Sequence, residues 1–148
     1  MFNKKTDRWE RCDRTIKDID HIGIVVRDLE KAIKLLENLD LRVSRREDIE
    51  HLKVRVAFFE VSGNRIELIS PSSEDHELTH HIENHGEGLH HIAFQMEDFN
   101  QTIKKLENMG IGLAQGKPRG EGHEGKEIAF LNPEDTCGIL IEVCQGKK

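Results

Sequence analysis

At 148 residues the chain is long enough for one domain with one or two modest cores. Its 28 acidic residues outnumber its 22 basic ones, and the formal net charge of −6 argues against nucleic-acid binding by bulk phosphate attraction. No apolar run reaches membrane-spanning length, residues 1–17 show no secretory pattern, and Cys12, Cys137 and Cys144 lack a Cys-x-x-Cys spacing, so a soluble cytoplasmic protein with reduced thiols is expected.

In chain order, residues 1–18 read as a polar N-terminal arm, with Trp9 as a candidate anchor. Residues 19–148 read as a single domain made of module one (19–70), a linker (71–85) and module two (86–145). Ile19 to Val26 is a predicted strand. Asp28 is a good N-cap, and Leu29, Ala32, Ile33 and Leu36 then keep helical spacing. Val43 to Ile49 is a polar strand, suited to an edge. In Val54 to Val61, Val54, Val56 and Phe58 alternate with Arg55, Ala57 and Phe59, and Ser62-Gly63-Asn64 turns the chain into a strand carrying Glu67. The linker holds His76, His80, His81 and His85 around a short helix from Glu77 to Asn84, and a solvated face is the expectation for them. The second half repeats the order: a strand from His90 to Met96, a helix capped by Asp98 and closed by Gly110, and a strand at Ile111 to Leu113. A Gly-rich loop from Gly116 to Gly125 carries Lys117, Arg119 and His123 and has no P-loop pattern. Strands at Glu127 to Leu131 and Ile139 to Val143 complete the half.

The halves are copies of one βαβββ pattern, giving an α+β fold with a curved mixed sheet. His21 and His91 hold the same place in their strands, one in each half. Glu67 and Glu142 each interrupt an apolar strand, again one in each half and at nearly the same offset. A carboxylate in mid-strand is costly unless it is paired or bound to a cation. Taken singly, each of these residues has a bland explanation. As a repeated His/Glu pair, they point to one site for a divalent first-row ion: zinc, cobalt, manganese, nickel or iron. Two imidazoles and two carboxylates leave positions for a chelating substrate whose carbonyl the ion polarises. His90 falls on the opposite strand face and reads as structural or as a support behind the ligands. Cys144 shares a face with Glu142 but reads first as a small buried apolar residue.

Three stretches resemble the vicinal oxygen chelate (glyoxalase/bleomycin-resistance) superfamily, and its methylmalonyl-CoA epimerase branch in particular. They are Ile19-Asp20-His21-Ile22-Gly23-Ile24, then Gly86 to Phe94, then Ile128-Ala129-Phe130-Leu131-Asn132-Pro133 followed by Gly138 to Glu142. The resemblance covers about Ile19 to Cys144. It implies metal ligands His21, Glu67, His91 and Glu142 and one divalent ion (Zn, Co, Mn or Ni). It also implies a small-molecule thioester substrate and a homodimer. The implied reaction is α-proton abstraction from an acyl-CoA thioester through a metal-stabilised enolate; the symmetry of the pair suggests Glu67 and Glu142 as acid and base on opposite sides, each loosening from the metal or working through a bound water. A glyoxalase I-type lactoylglutathione lyase uses a similar ligand set, and a non-catalytic binding protein of the superfamily is the third alternative. The chain departs from the epimerases in several places, among them a first helix about one residue shorter and Leu35-Leu36 in place of a frequent aromatic pair. It has Asn132-Pro133-Glu134-Asp135 where they usually have His-Pro-Lys-Ser, Cys137 where Gly is common, and Val54-Arg55-Val56-Ala57 where their third strand carries a glutamate.

Overall fold

The computed structural model describes residues 15–115 and 119–146. Trp9, Cys12 and Lys117 lie outside the described residues. The elements run β1 (Ile16–Val25), α1 (Leu29–Glu37), β2 (Val43–Ile49), β3 (Val54–Val61), β4 (Asn64–Pro71), α2 (Glu77–His85), β5 (Gly88–Met96), α3 (Phe99–Asn108), β6 (Gly120–Glu121), β7 (Glu127–Phe130) and β8 (Ile141–Gln145). All eight strands form one sheet in the order β2-β3-β4-β1-β5-β8-β7-β6. Replacing each of β1–β4 by β5–β8 maps one half of that order onto the other, so the repeat in the sequence is a pseudo-twofold in the sheet. The seam is the antiparallel β1–β5 pair; β4 joins β1 and β8 joins β5 in parallel.

The two halves are built by the same local devices. Asp28 accepts from the Lys31 amide and Asp98 from the Gln101 amide, and each caps a helix N-terminus. Behind the sheet, α1 buries Leu29 and Ile33 against Ala57, Phe59 and Leu68, while α3 buries Phe99 and Ile103 against Met96, Ala129 and Val143. The helices end at Asp40 (φ 63°) and Gly110 (φ 81°), equivalent positions of the repeat, where a left-handed residue closes the turn. Among the described residues only module one has a further cover, since the linker helix α2 packs Leu78 and Ile82 on Val54, Val56 and Phe58. The alternation predicted for β3 therefore holds, with one face under α2 and the other under α1.

The structure differs from the sequence reading at several ends. β1 begins at Ile16, where it pairs with Met96, so Ile16 to Asp18 belong to the sheet. Ile111 to Leu113 makes a single bridge, Leu113 to Leu131, in place of a strand. β8 starts at Ile141 because Ile139 is held in a turn: its amide donates to the Thr136 carbonyl (3.0 Å) and its carbonyl accepts from the Thr136 hydroxyl (2.7 Å). Cys137 has φ 56°, a conformation that favours glycine.

Candidate metal centre

The seam brings the four repeated residues together. Across the sheet, Gly23 of β1 is in register with Glu67 on one side and His91 on the other, and Ala93 of β5 lies between His21 and Glu142. Register partners share a face, so all four side chains project to one side, and all are buried. The small residues, Gly23 and Ala93, are themselves repeat equivalents. At Gly23 the room is essential, because a Cβ there would stand 2.1 Å from His91 Cε1.

The functional atoms converge. His21 Nε2 lies 3.0 Å from His91 Nε2, 3.2 Å from Glu67 Oε2 and 3.9 Å from Glu142 Oε2. His91 Nε2 is 3.4 Å from both carboxylates. Donors about 2.0–2.2 Å from one ion stand about 3.0–3.5 Å apart, so this donor set fits a first-row cation. Among the described residues, His21, Glu67 and His91 are one of two groups whose atoms lie close enough to share an ion.

Each imidazole is held from behind, and here the sequence reading missed a pattern. The β1–β5 register skips Asp20 between Ile19 and His21, and skips His90 between Leu89 and His91. Both are the extra residue of a β-bulge, which re-aims a side chain that strict alternation would send away. They too are equivalent positions of the repeat, each directly preceding a candidate ligand histidine. Asp20 Oδ2 lies 2.8 Å from His21 Nδ1, and His90 Nδ1 lies 3.0 Å from His91 Nδ1. Such partners fix which ring nitrogen faces an ion. His90 therefore does reach the site despite its nominal face. Cys144 is more than filler: its buried thiol donates to Glu142 Oε1 at 3.0 Å, leaving Oε2 toward the histidines. Burial and the Glu142 charge push the Cys144 thiol's pKa up.

Asp20 is the hub of a charged layer that residue types and spacing gave no reason to assemble. Its carboxylate meets Lys126 Nζ (2.8 Å), an Arg65 guanidinium nitrogen (2.8 Å) and His123 Nε2 (3.1 Å). Burial alone would raise the Asp20 pKa, but hydrogen bonds from His123, His21 and Lys126 hold it well below the carboxylate range. Asp20, His21 and His123 also lie close enough to share an ion. With Arg65 and Lys126 already on that carboxylate, the cluster is an ion-pair network.

Burial opposes charge on His21 as well. The Glu67 charge, the Asp20 hydrogen bond and the Glu142 charge outweigh it and raise the pKa to about 10. Burial would likewise raise Glu67, but His21 and His91 hold it below the usual carboxylate range.

Glu67, His91 and Glu142 open into a cavity of about 300 Å³. Its lining is largely apolar, with Ile49, Val54, Val56, Ile69 and Leu78 from the first half and the linker, Ile128 and Phe130 from β7, and His123 beside them. Val56 thus occupies the wall position where a third-strand glutamate would face the site. A larger groove of about 800 Å³ adjoins the cavity, sharing Glu77, Leu78 and His90 with it. The linker histidines are tied down more than expected. His76 caps α2 through the Leu78 amide and meets the Leu52 carbonyl, and the His81 ring contacts both His85 and His90.

Paired modules around a buried His/Glu cluster define a class of proteins built on a twofold repeat with one site at the seam. The chain belongs to the Glyoxalase/Bleomycin resistance protein/Dioxygenase superfamily, whose family model matches residues 20–130. It is 38% identical over 130 residues to the uncharacterized protein YqjC of Bacillus subtilis, covering 87% of this chain and 92% of that one. It is 33% identical to the ethylmalonyl-CoA/methylmalonyl-CoA epimerase of Cereibacter sphaeroides, covering 86% and 96%. Among solved structures, a variant of Streptomyces coelicolor methylmalonyl-CoA epimerase in complex with 2-nitronate-propionyl-CoA superposes with a TM-score of 0.79. It is 30% identical, with 88% of this chain and 95% of that one covered.

Proposed function

We propose that the protein is a metal-dependent isomerase that removes and returns a proton on the carbon next to a chelating carbonyl, with an acyl-CoA thioester of the methylmalonyl type as substrate. The observation that carries this reading is the convergence of His21, Glu67, His91 and Glu142 at 3.0–3.9 Å on one buried face. Relatives named as epimerases at about a third identity support the substrate class.

His21, His91, Glu67 and Glu142 would hold one divalent ion. When bound, it polarises the substrate carbonyl and offsets the negative charge that develops as the proton leaves. The remaining work falls to the chain. Asp20 and His90 keep Nε2 of each ligand histidine directed at the site. The apolar wall of Val54, Val56 and Ile69 excludes water from the reacting carbon. With Val56 on that wall, proton transfer would fall to Glu67 and Glu142, on opposite sides of the seam, each loosening from the ion or acting through an intervening water. Of the other acids on or beside β2 and β3, Glu50 and Glu60 are exposed. Glu47 accepts the Glu124 amide and pairs with Arg45.

A second reading, a lactoylglutathione lyase of the glyoxalase I type, rests on the exposed Glu134 at the groove, where an epimerase-type lysine would attract an anionic tail. The test is a parallel assay in deuterated solvent of the metal-loaded protein on methylmalonyl-CoA and on the methylglyoxal–glutathione adduct. The epimerase reading expects α-deuterium in the recovered CoA ester. Turnover of the adduct alone replaces it with the lyase, and metal binding without exchange on either replaces both with a binding function.

A further inference from the structure

The groove beside the cavity holds a second set of metal-binding side chains that the reaction does not use. His81 and His85 lie one turn apart at the end of α2, the i, i+4 spacing that puts two side chains on one helix face. Their ring centroids are 4.8 Å apart. That nearly equals the 5.1 Å between the rings of His21 and His91. It is also the spacing of two imidazoles sharing one ion, since two nitrogens about 2.0–2.1 Å from a metal leave their rings about 5 Å apart.

The surroundings suit a cation. Glu77, Glu87 and Glu134 line the groove, and none of its described lining residues is Lys or Arg. His85 is exposed and His81 half-buried, so an ion and its waters can reach both. The His90 ring lies 4.8 Å from that of His81, and its Nδ1 is committed to His91. His90 therefore separates the groove pair from the inner cluster and is not counted among the outer ligands.

We propose that His81 and His85 form a second, outer site for a borderline divalent ion such as Zn²⁺, Ni²⁺ or Co²⁺. Water completes its coordination, and the groove glutamates supply a negative surrounding. With two protein imidazoles against the four-residue inner cluster, the outer site is the weaker of the two. It does not depend on which reaction the inner site performs.

The test is equilibrium dialysis of untagged, chelator-stripped full-length protein against Zn²⁺ or Ni²⁺, with elemental analysis of bound metal. The wild type is expected to take up one tight and one weaker equivalent per chain. His85→Ala should weaken the second at least ~10-fold and spare the first, with an unchanged melting temperature in the absence of metal, because His85 is exposed. His21→Ala should remove the tight equivalent and keep the weaker one, so failure of the inner site is read separately. Uptake of a single equivalent that His21→Ala abolishes would overturn the proposal. So would a second equivalent that survives in the His81→Ala/His85→Ala double variant.

Discussion

Replacing Gly23 by alanine puts a methyl group where a hydrogen was, and the structure says where its carbon goes. It would stand 2.1 Å from His91 Cε1, 2.4 Å from Nδ1 and 2.5 Å from Nε2. Ordinary carbon contacts fall at about 3.5–4.0 Å, so the ring must retreat by about 1.5 Å or β1 must move. Neither is local. Retreat breaks the Nδ1 contact with His90, and a shift of β1 drags the register partner Glu67. Overpacking of this kind costs about 1–3 kcal/mol, so the variant should still fold. A metal site tolerates only about 0.2 Å in its ligand distances. Metal affinity should therefore fall at least ~100-fold, the upper end of the loss seen when an outer partner of a ligand is removed. The assay is competitive metal titration with a chromophoric chelator, beside thermal melting of the stripped protein. Ala93→Gly is the control: it changes the equivalent position in the other module, costs about 0.5–1 kcal/mol and adds no clash. If Gly23→Ala binds metal as tightly as the wild type, the His91 ring does not lie against Gly23 and the seam geometry is wrong.

Two further outcomes follow from the same cluster. With its pKa raised to about 10, His21 carries a proton at neutral pH in the metal-stripped protein, and an ion must displace it. Calorimetric metal titrations near neutral pH should thus show release of about one proton from His21, read from the dependence of the heat on buffer. Because the folded pKa lies above the ordinary value of 6.5, this proton stabilises the stripped protein fully below pH 6.5. The contribution is lost as pH rises through about 10, so melting temperatures that do not fall across that window would contradict it. Glu142→Gln keeps the side chain's size and one oxygen but removes a base. Solvent deuterium exchange should drop by ~10²–10⁴-fold while the ion stays bound. Glu67→Gln should match it if both acids act, and full exchange in both variants would move the base elsewhere.

The four central residues were legible because the features that identify them survive in the linear text. Strand alternation put His21 and His91 on inward positions, and the internal repeat made each one's partner visible. The same logic failed at Asp20 and His90, and for one reason: each is the extra residue of a bulge. A bulge suspends period-two alternation, so the rule that located the ligand misplaced its neighbour. Arg65, His123 and Lys126 were hidden for a different reason. They come from two distant stretches and meet around Asp20 and Glu124, and no local pattern records that meeting. Cys144 was read as filler because small buried thiols usually are, and its bond to Glu142 needed coordinates.

α2 lies in the linker and covers module one, and the second half has no counterpart to it among the described residues. The sheet alone would treat the two sides of a flat reaction intermediate as mirror equivalents, since each offers one glutamate. With α2 in place they differ. The Glu67 side is walled by Val54, Val56 and Leu78, whereas the Glu142 side is bordered by Phe130 and Ile128 of β7. Two carboxylates that began as copies thus have unlike surroundings, one under a linker helix and one beside β7. In the proposed reaction, proton transfer from the two sides would therefore proceed at unequal rates. The linker that joins the duplicated halves is what gives a twofold site a left and a right.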